Sequence, residues 1–223
     1  MFIGHFGIGF AAKRIAPKTS LGTLFFASQF IDLLWPVLLL LRVEQVSISP
    51  GNTVVTPLEF THYPYSHSLL TVVIWSLLVG ISYFILKKNK ATSICLSVIV
   101  LSHWFLDLIV HRPDLPLIPW LETKTGLGLW NSLSGSVIVE GMIFITGVFF
   151  YVKPTRAANR NGNYGLWGLV LVLIILYVSN LFGPLPPSTD AIAYSGLLQW
   201  LFIFWAFWID RNRELIDSFS ESQ

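Results

Sequence analysis

The sequence predicts an all-α fold: a polytopic integral membrane helical bundle of about six transmembrane helices plus a short N-terminal half-helix. Three observations predict it. Hydrophobic residues make up 54% of the 223 residues and charged ones only 12%, about half the charged share of a soluble domain. Six apolar stretches each run about 18–25 residues, the length a helix needs to cross a bilayer. The basic residues gather at alternate ends of those stretches, as orientation in a membrane requires.

In chain order, residues 2–14 read as a half-length helix dipping into the bundle. Met1 to Ala12 is apolar, but Lys13 and Arg14 follow it instead of preceding it, so no cleavable leader is expected. The spans follow at approximately 21–41, 69–86, 91–110, 128–152, 165–182 and 192–209, with Gly, Pro, Asn and charges between them. The fourth is diluted by Asn131, Ser132, Ser134, Gly135, Ser136 and Glu140. Lys87-Lys88-Asn89-Lys90 is short enough to force antiparallel neighbours. Residues 1–223 read as one membrane domain, with a site-bearing core over 1–150, two additional spans over 151–209 and a frayed polar tail over 210–223. The single Cys95 excludes an intramolecular disulfide and a multi-cysteine metal site. No basic patch for nucleic acid is visible.

Lys13, Arg14, Lys18, Lys87, Lys88, Lys90, Lys153, Arg156, Arg160, Arg211 and Arg213 fall on one side of a six-span path, eleven of the fourteen basic residues. Only Arg42, Arg112 and Lys124 fall on the other. This bias predicts N-in and C-in orientation; a prokaryotic inner or plasma membrane is the localisation expected. Counting at 1.5 Å per residue from the basic ends puts Asp32 roughly 21 Å deep, His103 and Glu140 roughly 20 Å, Asp107 about 26 Å and His67 about 30 Å. His5 is shallower, roughly 12 Å above Lys13. These groups converge on the outer half of the membrane, and the 42–68 loop on that side is a candidate lid or substrate wall.

Ionisable groups inside apolar runs are costly to keep and point to function. His103, Asp107 and His111 are spaced i, i+4, i+8 along one helix face, where a carboxylate between two imidazoles can bridge two metals or serve one. Pro113 soon ends the helix, which leaves His111 either a ligand or an interfacial histidine. His62 and His67 flank Tyr-Pro-Tyr-Ser; Ser66 or Ser68 can cap the helix beginning near Leu69. His67, at that helix entrance, is the stronger ligand, while His62 reads as second-layer support or substrate-facing. Asp32 is a lone acid in mid-span, a ligand when set beside the histidines or else a carboxylate bonded to a neighbouring helix. Pro36 kinks its helix, as is tolerated beside a cavity. Glu140 is a ligand, a general base or structural. His5 has glycines at 4, 7 and 9 that permit close helix approach.

Taken together, His5, Asp32, the His62-x4-His67-Ser pair and Ser102-His103-x3-Asp107 resemble the membrane-bound metal-dependent hydrolase family, the YdjM-like proteins, over approximately residues 1–150. More distantly the pattern is similar to zinc-dependent phospholipase C and related nucleases. The resemblance implies that His5, Asp32, His67, His103 and Asp107 are metal ligands, with Asp107 a bridge. It implies that His111 is a further metal ligand and Glu140 an acidic ligand or base, so that Asp107 and Glu140 carry the catalytic roles.

The function expected is hydrolysis of an ester or phosphodiester, lipid-linked in view of the depth, by water activated on one or two divalent ions. Zn²⁺ suits His-rich ligation. The partners expected are the lipid bilayer and such a substrate. The alternatives are a proton- or metal-ion-handling transporter, and a structural membrane protein whose polar cluster only fixes helix packing.

Overall fold

The computed structural model describes residues 1–216. A nine-residue helix α1 (Ile3–Ala11) precedes the first long helix α2 (Leu21–Leu40), whose N-cap Ser20 accepts from Thr23 N–H. An antiparallel hairpin, β1 (Gln45–Ile48) with β2 (Leu58–His62), leads to the single turn α3 (Pro64–His67). Ser68 then caps α4 (Leu69–Lys87), its hydroxyl accepting from Thr71 N–H. Lys88 ends α4 in the left-handed region at φ 54°, and Asn89 caps α5 (Lys90–Val110), so these two helices turn back on each other within three residues.

A short β3–β4 pair (Leu115–Pro116 with Lys124–Thr125) and a 3-10 turn at Leu129–Asn131 precede α6 (Leu133–Val152). The fourth span therefore starts five residues later than expected, because Gly128 (φ 74°) begins the turn and Ser132 caps the helix by accepting from Gly135 N–H. Thr155–Ala157 forms β5, and α7 (Arg160–Phe182) begins five residues earlier than expected because Asn159 caps it through Gly162 N–H. The last span is α8 (Thr189–Leu197) followed by α9 (Gln199–Asp210).

Among the described residues six helical spans, with α8 and α9 counted as one, are long and apolar enough to cross a membrane. Their outward faces carry bare apolar side chains: Ile74, Leu78, Ile81 and Ile85 on α4, and Leu171, Ile175 and Val178 on α7. Surface of that kind suits lipid, and the chain is an integral membrane protein. Two expectations are corrected. The region after residue 210 is not simply frayed, since Asp210 closes α9 and Arg213–Leu215 forms β6, paired antiparallel with β5; residues 217–223 lie outside the described residues. The sixth span is also not one straight helix.

Helix α2 divides the interior. Leu24, Ala27, Ile31 and Trp35 pack with α4 and α5, whereas Leu21, Phe25 and Leu33 pack with α1, α6, α7 and α9. α1 lies directly on α6, where a Cβ added at Gly7 would stand 2.8 Å from the Ile143 carbonyl oxygen. Only glycine allows the two backbones to meet there.

Candidate metal centre

Pro36 sits inside α2 and has no N–H to give the Asp32 carbonyl one turn earlier. The Gln199 side-chain amide, at the first position of α9, donates to that carbonyl instead at 3.4 Å. The break between α8 and α9 thus supplies a partner for a backbone group that the proline leaves open, and it anchors the turn carrying Asp32.

α5 presents His103 and Asp107 one turn apart. The His103 Nδ1–H donates to the Ser28 carbonyl on α2 (3.1 Å), which leaves Nε2 turned to the interior. That Nε2 is buried and makes no hydrogen bond, yet it stands 3.2 Å from Asp107 Oδ2 and 3.6 Å from Asp32 Oδ1. His67, the last residue of α3, brings its Nε2 to 3.6 Å from Asp32 Oδ1 and 3.8 Å from Asp107 Oδ2. On the other side of Asp107, Oδ1 lies 3.0 Å from His5 Nε2 and accepts from the Met1 amino group at 2.6 Å. The His5 and His103 rings are stacked, with centroids 3.7 Å apart.

Two donor groups result, His5–His103–Asp107 and Asp32–His67–His103, joined at His103. Ligand atoms at 2.0–2.2 Å from a tetrahedral zinc ion are about 3.4 Å from one another. The imidazole–carboxylate separations of 3.0 to 3.8 Å bracket that value, and the ligand atoms of each group all lie within 4.8 Å of one another, so either group could hold a metal ion. His103 and Asp107 are 1% and 2% exposed, and the Asp32 side chain, at 23%, is the part of the set that reaches accessible surface.

Three placements differ from expectation. His5 is not shallower than the rest, because the glycine contact with α6 brings the first turn of α1 to Asp107. His111 does not extend the i, i+4 line. The helix ends at Val110, and His111 takes extended angles (φ −63°, ψ 143°) that turn its ring elsewhere. Its Nδ1 pairs with Asp114 Oδ1 at 2.9 Å, among the rings of Phe60, Tyr63 and Trp130. Burial pushes the His111 imidazole below its ordinary value, while burial and then Asp114 hold the Tyr63 phenol well above its own. Tyr63 accordingly donates to Asp114 at 3.2 Å. Glu140 is likewise used otherwise: its Oε2 accepts the Phe2 (2.9 Å) and Gly4 (3.4 Å) N–H groups and caps α1. Neither His111 nor Glu140 joins a donor group among the described residues. His62 is exposed at the end of β2, against Tyr65.

Some buried polar residues escaped sequence reasoning. Glu44, 1% exposed, accepts the N–H groups of Tyr65 and Ser66 and the Ser66 hydroxyl, and so holds α3 in place. Nothing in the sequence separates it from a surface acid in a loop. Gln29, three residues before Asp32, is buried with both amide atoms unpartnered; a polar residue in an apolar run was the signal available for it, as for Asp32.

A profile of the family described as YdjM inner membrane protein matches residues 1–184. The chain belongs to that family. No curated protein and no solved structure matches it. The family match takes in every residue of both donor groups, together with Glu44, Ser66, His111 and Glu140.

Proposed function

We propose that this member of the family is a membrane-embedded metal-dependent hydrolase acting on an ester or phosphodiester. The observation that carries the reading is His103. It is a fully buried imidazole whose Nδ1 proton is committed to Ser28, whose Nε2 has no hydrogen bond, and which faces two carboxylates from different helices. A buried polar atom left bare is costly, and a cation shared with Asp32, His67, Asp107 and His5 removes that cost. The sequence resemblance to metal-dependent hydrolases, and more distantly to zinc-dependent phospholipase C, supports the same reading. A divalent ion held there, zinc by the chemistry of the donors, would supply Lewis acidity and bring the pKa of a bound water down toward about 7.

The chain's own residues perform the rest. Asp107 uses both oxygens, one toward each donor group, and so ties the two halves of the centre together. The Asp32 side is the approach for substrate and water, since the other donors are sealed. The basic residues that point to N-in and C-in orientation put the site toward the outer side, where a lipid-linked ester is within reach. Glu140 holds α1, and through it His5, in place.

The transporter reading needs a polar path from the centre to the end of the bundle marked by Lys13 and Asp210. Phe6, Phe10 and Phe25 pack edge to face along α1, and Phe10 continues the contact to Tyr151, which bonds Asp210. These fully buried rings favour a closed site over a conduit.

The test is turnover of bis(p-nitrophenyl) phosphate and p-nitrophenyl acetate by the purified, zinc-loaded protein, beside Asp107→Asn and His103→Ala. Metal-dependent turnover lost in both variants is expected. Turnover unaffected by the variants or by chelation would reject the hydrolase.

A further inference from the structure

We propose that Glu44 is a positioning residue: acting through Ser66, it fixes the tautomer of His67 and so makes Nε2 the atom offered to the centre. The proposal rests on the metal reading only in the use made of that atom.

The argument counts protons. Glu44 Oε1 accepts the Tyr65 N–H at 2.7 Å and the Ser66 N–H at 2.8 Å, and Oε2 accepts the Ser66 hydroxyl at 2.6 Å. With three donors aimed at it, the carboxylate is wholly an acceptor. A hydroxyl has one proton, and Ser66 has given it to Glu44. The 2.7 Å contact between Ser66 Oγ and His67 Nδ1 can then be a hydrogen bond only if Nδ1 carries the proton. A neutral imidazole protonated at Nδ1 has its lone pair at Nε2, the atom that faces Asp32 and Asp107. The remote hydrogen bond of a metal-binding histidine sets its tautomer and orientation in the same way. His103 achieves this with the Ser28 carbonyl; His67 achieves it with a serine whose direction is set by a carboxylate two layers from the centre.

The chain Glu44–Ser66–His67 can be inverted by one atom. In Glu44→Gln the amide oxygen still accepts the two backbone N–H groups, while the amide NH₂ takes the place of Oε2. It donates to Ser66 Oγ, whose proton must turn to His67 Nδ1, and the imidazole proton moves to Nε2. Ser66→Ala removes the intermediary and leaves the tautomer unfixed without disturbing the cap on α3.

The experiment is long-range ¹⁵N–¹H correlation spectroscopy of metal-free, ¹⁵N-histidine-labelled protein in detergent, with the imidazole neutral, followed by Zn²⁺ titration. The wild type should show the His67 proton on Nδ1. Glu44→Gln should show it on Nε2 and bind Zn²⁺ about 10–100-fold more weakly, and Ser66→Ala should show a mixture with a smaller loss of affinity. The double variant Glu44→Gln/Ser66→Ala should bind no worse than Ser66→Ala, because the inverted signal has no carrier; a merely structural role for Glu44 would add to the loss instead. Should Glu44→Gln fail to fold, a His67 proton that stays on Nδ1 in Ser66→Ala overturns the proposal. A His67 proton on Nε2 in the wild type overturns it too. Correct tautomers without Zn²⁺ binding in the wild type would reject the metal reading and leave this assignment standing.

Discussion

Gly7→Ala separates helix propensity from packing. On an open helix face this change stabilises by about 0.5–1 kcal/mol, since alanine loses less backbone entropy than glycine. At Gly7 the added Cβ would lie 2.8 Å from the Ile143 carbonyl oxygen and 2.9 Å from Phe144 Cα, where ordinary contact begins at 3.4 Å. Backbone cannot rotate away, so α1 must retreat from α6 by about 0.6 Å. Overpacking of this kind costs about 1–3 kcal/mol, more than the propensity gain, and the variant should be destabilised by up to about 2 kcal/mol. His5 is two residues away. The same displacement of α1 disturbs the 3.0 Å contact of His5 Nε2 with Asp107 Oδ1 on α5. Gly141→Ala, on α6 with open space around its Cβ, is the control and should hold or gain stability. Thermal melts and Zn²⁺ titrations in one detergent decide it. A Gly7→Ala protein as stable and as tight for Zn²⁺ as Gly141→Ala would refute the packing of α1 on α6 as the device that positions His5.

Three further outcomes are expected. Gln199→Ala leaves the Asp32 carbonyl unpartnered beside Pro36 and should cost about 1–3 kcal/mol, read as a lowered melting temperature, with Zn²⁺ affinity reduced through Asp32. Asp210 accepts from Lys13, Leu21 N–H and Tyr151; Asp210→Ala strands a buried ammonium and should cost about 3–5 kcal/mol, seen as a large drop in melting temperature. His62→Ala and His111→Ala should keep the wild-type metal content in elemental analysis, since neither ring joins a donor group, whereas His67→Ala should lower it.

Much of this was legible in the sequence, for reasons specific to each element. The spans announce themselves because a helix in lipid must be long and apolar, and serine or asparagine marks most of their starts. The strands do not, because they run only two to five residues, and Thr155–Ala157 draws its partner from as far away as Arg213–Leu215. Nor does the break at Leu198, near which Gly196 packs against Pro36 of another helix. At the site, His103 and Asp107 were readable as a helical pair, and Asp32 and His67 as polar groups placed where apolar ones belong. That same signal misled at Glu140, where a buried acid serves backbone N–H groups of α1. It misled at His111 too, because counting by eights assumes a helix that has already stopped. Glu44 gave no signal, since a loop acid becomes distinctive only when three donors close around it.

The account turns on whether His5, Asp32, His67, His103 and Asp107 share a cation, and metal per chain in the purified protein addresses that directly. Inductively coupled plasma mass spectrometry should find one or two divalent ions per chain in the wild type and a clear deficit in a folded His103→Ala variant. A metal-free wild type that also takes up none from Zn²⁺-containing buffer would contradict it.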